Sequence, residues 1–131
     1  MKYSTIEHEQ YHIIELQEEK MNSSVAPELK SKFVMLNASG KQNVILDLGP
    51  VKYADSSGLS SLLRANSMFE QAGGIFVLCS LTEHVEKLIT ITHLDRVLTI
   101  LPTRQEAIEA VFMHEIEKDI EEEEEEEDDE M

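Results

Sequence analysis

Two strand-length, nearly unbroken apolar runs set the narrowest limits on the fold of this chain. They are Val44-Ile45-Leu46-Asp47-Leu48 and Ile75-Phe76-Val77-Leu78-Cys79. Neither shows the apolar–polar alternation of a half-solvated strand, so each needs cover on both faces. Between them lies one amphipathic stretch. Leu59, Leu62, Ala65, Phe69 and Ala72 share a helical face there, with Leu63 and Met68 at its border. Gly73-Gly74 then stops the helix and releases the chain into the second run. Strand, helix, strand in this order is a crossover unit, which makes the two strands parallel.

The same alternation extends both ways. Thr5-Ile6 and Tyr11 to Leu16 read as extended, either as two strands turning at Gln10 or as one interrupted strand. A polar stretch from Gln17 to Ser24 follows. Ser23 or Ser24 then caps a first helix, with Pro27 in its opening turn and Gly40 as its stop. Leu29, Phe33, Leu36 and Asn37 face inward on it, and Val34 and Met35 are expected to widen the buried stripe. After Cys79, Ser80 and Thr82 compete to cap a third helix that buries Val85, Leu88, Ile89 and Thr92. Leu94 to Arg96 reads as a loop and Val97 to Leu101 as a last strand, broken by Pro102. Thr103-Arg104-Gln105-Glu106 is a capping box opening a helix with Ala107, Ile108, Val111 and Phe112 inward. The expectation is an α/β fold: one domain over residues 1–114, a mixed, mostly parallel sheet of about five strands, and about four helices.

Charge divides the chain differently. Acids outnumber bases 27 to 11 in 131 residues, a net charge of −16. Residues 115–130 alone carry −12 of it, leaving −4 for everything else. The segment 115–131 therefore reads as an acidic tail, a solvated extension of the last helix that frays into disorder. Such a balance offers no basic footprint for nucleic acid. No apolar run reaches the length of a membrane span. Met1 to Gln10 lacks the basic-then-apolar layout of a signal peptide, so a cytoplasmic protein is expected. Cys79, the single cysteine, reads as a buried thiol. His8 and His12 read as solvated strand histidines, and no metal site or cofactor is expected.

Chemistry concentrates at Tyr53-Ala54-Asp55-Ser56-Ser57-Gly58-Leu59, where a short extended piece becomes a helix. Free N–H groups at a helix start gather partial positive charge, and a phosphate on Ser56 would lie against them. Gly58 leaves the backbone bare for close approach, and Tyr53 is expected to pack beside the turn. The pattern also describes an ordinary capped helix. A hydrolase elbow needs Gly before the serine, where Ala54 and Asp55 stand. A receiver-type role for Asp47 needs a lysine after a later strand, and Val97 to Pro102 has none. His84 and His93 read as solvent-facing or helix-capping.

With these motifs in their order, residues 11–112 resemble a STAS domain, the fold of bacterial anti-sigma-factor antagonists. The resemblance rests on the Val44–Leu48 strand, on Asp55-Ser56-Ser57-Gly58, and on Ala72-Gly73-Gly74 before the Ile75–Cys79 strand. It continues through Val85, Leu88 and Leu94. It implies that Ser56 is the phosphoacceptor, with Asp55, Ser57, Gly58 and Asn22 forming the partner-binding surface. The implied partners are an anti-sigma factor with serine kinase activity and a phosphatase. The unphosphorylated chain would bind the anti-sigma factor and release a sigma factor; phosphorylation would end that binding. The chain would then be a kinase substrate and not an enzyme, with ATP used by the partner. Many family members carry Gly and Asp in the loop before the first helix, where this chain has Glu19 and Asn22. A second expectation is a constitutive STAS adaptor in a transporter, lipid-trafficking or signalling assembly, without phosphorylation.

Overall fold

The computed structural model describes residues 1–129. The extended N-terminus resolves into two strands, β1 (Tyr3–Glu7) and β2 (His12–Leu16), paired antiparallel. A two-residue strand β3 (Lys20–Met21) precedes helix α1 (Ala26–Ala38). Then come β4 (Val44–Asp47), a second two-residue strand β5 (Tyr53–Ala54) and helix α2 (Ser56–Gln71). β6 (Phe76–Cys79), α3 (Glu83–Ile91), a 3-10 turn at Leu94–Arg96, β7 (Thr99–Leu101) and α4 (Arg104–Asp129) complete the chain.

The main sheet has five strands in the order β1-β2-β4-β6-β7. Every pairing after the first is parallel, as the crossover units require. Period-two alternation splits its side chains between two cores. Ile14, Leu16, Leu46 and Leu78 pack with Leu29, Phe33, Leu62, Phe69 and Val85, so α1, α2 and α3 cover one face. Ile13, Ile45, Val77 and Cys79 pack with Ala107 and Val111, so α4 covers the other. This double cover is why all four residues of β4 and of β6 are buried.

Several local expectations change. Neither Ser23 nor Ser24 caps α1: Val25 occupies that position, with no side-chain cap bond. The Asn22 backbone carbonyl accepts from Val25 and Ala26 N–H instead, which leaves the serines in solvent. Val34 and Met35 face water, Met35 at 64% exposure, because the packed arc of α1 is limited to Ala26, Leu29, Phe33 and Leu36. His12 is not solvated. β2 is paired on both sides, and His12 is only 3% exposed with neither ring nitrogen hydrogen-bonded. Phe112 remains 40% exposed, lying edge-on to His8 and Tyr11.

α4 runs unbroken through the segment read as a tail, as far as Asp129. The start of that segment touches the body. Asn43 Nδ2 donates to Glu115 Oε1 at 2.8 Å, Lys118 Nζ donates to Gln42 Oε1 at 3.3 Å, and His114 Nε2 lies 3.1 Å from the Gly73 carbonyl.

Candidate functional site

The D-S-S-G turn forms the start of α2. Asp55 is its N-cap, in extended backbone conformation, and its Oδ1 accepts from Gly58 N–H at 3.0 Å. Ser56 is the first helical residue and is exposed; Ser57 is half-buried. Ser56 and Ser57 belong to the first turn, whose N–H groups have no acceptor within the helix. An oxyanion arriving at Ser56 would meet those donors and the positive end of the helix dipole.

A contact invisible in the local motif sets this turn in place. β3 and β5 pair in parallel, Lys20 opposite Tyr53 and Met21 opposite Ala54. The Met21 carbonyl then accepts from Asp55 N–H at 3.2 Å. Gly58 is buried directly against that carbonyl, and a Cβ on residue 58 would collide with it. The side chain of Met21 is fully buried in the core, so this backbone seat is rigidly held. Asn22 follows immediately, and its Oδ1 accepts from Ser24 N–H at 3.0 Å. Asn22 is thus brought to the start of α2 across more than thirty residues of sequence, because β3 pairs with β5. Its side chain is engaged in its own turn.

Both signs of charge surround the turn: Glu83 lies in one of the two clefts beside it, and Glu19 Oε1 lies 3.7 Å from Lys52 Nζ. Lys30 and Arg64 line a shallow cleft with Ser57, Ser60 and Ser61. Lys52 and Lys87 line a second cleft with Tyr53 and His84. Tyr53 is half-exposed and meets His84 edge-on at 5.5 Å between ring centroids. Thr82 Oγ1 donates to the Val51 carbonyl at 2.8 Å, tying the start of α3 to the segment leading into β5. Reading the sequence alone missed Met21, Lys30 and Arg64. None belongs to a motif; the one available signal was helical spacing, which sets Lys30 off the face of Leu29, Phe33 and Leu36.

Asp47 has a structural partner. Its Oδ2 accepts from Arg104 Nε at 3.1 Å and Nη2 at 2.9 Å, and Arg104 Nη2 also reaches Glu15 Oε2 at 3.1 Å. Burial raises the Cys79 thiol to a pKa of about 11, which keeps it protonated and inert at neutral pH. Among the described residues no three His, Cys, Asp or Glu side chains group to hold a metal, and no helix is long and apolar enough to cross a membrane.

This architecture has counterparts of known family. The sequence profile of the STAS domain matches residues 2–107. The chain belongs to the STAS-domain family. A Thermotoga neapolitana protein named as a candidate anti-sigma factor antagonist is 36% identical over 72 residues, which span 55% of this chain and 64% of that protein. BtrV of Bordetella bronchiseptica, named in the same way, is 30% identical over 90 residues, 69% of this chain and 78% of that one. The crystal structure of a similarly named protein from Thermotoga maritima superposes with a TM-score of 0.74 at 28% identity. The match covers 83% of this chain and 93% of that chain. This STAS domain is thus similar to bacterial proteins grouped by one regulatory role.

Proposed function

We propose that this STAS domain is an anti-sigma-factor antagonist switched by phosphorylation of Ser56. In its unmodified form the surface around Asp55, Ser56, Ser57, Gly58 and Asn22 binds an anti-sigma factor and so releases a sigma factor. That partner is also the kinase. It transfers the γ-phosphoryl group of ATP to Ser56 Oγ and leaves ADP, while a phosphatase reverses the step by hydrolysis. The chain is a substrate and binding module acting in the cytoplasm.

One observation carries this reading: Ser56 is exposed at a helix start whose third residue, Gly58, is pinned against a fully buried anchor. A phosphate there adds about −1.5 to −2 charges beside Asp55. The helix start accommodates that charge, so the domain keeps its shape in both states. A partner covering Ser56 would instead have to desolvate a dianion, which is costly without a matching cation. Binding is switched by electrostatics at a rigid surface.

The test compares two variants with pure partner recovered from host lysate by Ser56→Ala bait. Ser56→Ala should bind constitutively, and Ser56→Asp at least about tenfold more weakly, since a like-charge or unpaired burial costs more than about 1.4 kcal/mol. Equal affinities would refute the switch. Stoichiometric phospho-Ser56 in protein purified from the host would support it, and recovery of transporter subunits instead of an ATP-binding partner would mark a constitutive adaptor.

A further inference from the structure

The outward side of α4 carries an apolar stripe that the sheet does not use. Ala107 and Val111 hold the helix on the body. Nearly opposite them around the helix lie Phe112, Met113, Ile116 and Ile120, which are 40%, 56%, 54% and 50% exposed. At about 100° per residue these four occupy an arc of about 100°, the width by which a surface helix packs against a neighbour. Phe112 anchors one end, steadied edge-on by Tyr11 and His8. Exposed acids frame the rest: Glu117 and Glu124 on one border, Asp119 and Glu126 on the other.

Charge selects the occupant. A second copy of this chain laid on the stripe would oppose two segments of −12 each. Packed helices lie about 8–10 Å apart, no farther than the Debye length of about 8–10 Å at physiological salt. The repulsion would therefore be only partly screened. A helix with an apolar face and Lys or Arg along its borders meets both requirements at once: its apolar residues cover the stripe and its cations meet the acidic frame. We propose that the outward face of α4 is a docking stripe for a basic amphipathic helix of a partner protein. It lies across the sheet from α1, α2 and Ser56, so this partner can be seated while the Ser56 surface is occupied.

The experiment titrates the full chain with a synthetic peptide bearing leucines along one helical face and lysines and arginines along both borders. A peptide of the same composition in shuffled order, which presents no apolar face, is the control. The ordered peptide should bind at least about tenfold more tightly than the shuffled one. The double variant Ile116→Ser/Ile120→Ser should lose about tenfold of that affinity, as expected for two apolar side chains left uncovered, with an unchanged melting temperature because both are exposed. Equal binding of the two peptides would reduce the effect to bulk charge and overturn the proposal. So would equal binding by the double variant. A wild-type chain that sediments as a dimer, and a double variant that does not, would assign the stripe to a second copy and also overturn it.

Discussion

Gly58 is buried on the Met21 carbonyl, and that closeness sets the position of the whole switch turn. A methyl group at this place has nowhere to go, since its neighbour is backbone held by a fully buried side chain. Gly58→Ala should cost about 1–3 kcal/mol, the usual penalty of overpacking, and lower the urea midpoint accordingly. His12 supplies a second prediction. Burial lowers its pKa, with Lys32 and Lys41 adding to the effect and Glu7 opposing it. The folded state therefore binds fewer protons than the unfolded one as pH falls below about 6.5. Stability should drop from pH 7.5 towards pH 5.5, and His12→Leu should flatten that dependence. Urea midpoints measured across this range for both proteins check it; identical slopes would remove His12 from the account.

At the scale of elements, Arg104 joins three of them. It opens α4 and bonds Asp47 at the end of β4 and Glu15 on β2, partners 57 and 89 residues away. Asp47 is buried whereas Arg104 is one-third exposed, so removing the guanidinium strands an acceptor that water cannot fully reach. Arg104→Met should destabilise the fold by about 1–3 kcal/mol, the cost of a buried group left unsatisfied, and the chemical-denaturation free energy measures it. In the sequence Arg104 was only the second letter of a capping box, whose hydroxyl bond does form between Thr103 Oγ1 and Glu106 N–H. β3 was harder still. A two-residue ladder has no period to read, and it lay inside a stretch that looked wholly polar apart from Met21.

Across the whole molecule, the sheet separates two surfaces. The α1–α3 side holds Ser56 and two clefts that carry Lys30, Arg64, Lys52 and Lys87; the α4 side leads into the acidic segment. Like charges along 121–126 oppose helix formation, as do acids near a helix C-terminus. Screening should relieve both. Raising salt from about 0.05 to about 0.5 M shortens the Debye length from over 10 Å to under 5 Å. Helical ellipticity at 222 nm should deepen in the full chain and not in one truncated after Lys118. An equal response from both would place the effect in the body.

What the sequence by itself determined was the α/β alternation, the parallel central strands and the capped turn at Asp55. Each follows from burial periodicity or capping chemistry within a few residues, and such rules act locally. Only the tertiary structure decided that Met21 seats Gly58, that His12 is buried, that Arg104 bridges two strand ends, and that Phe112, Ile116 and Ile120 stay in water. Those outcomes depend on which strands become neighbours, and strand order brings together residues that no local pattern connects.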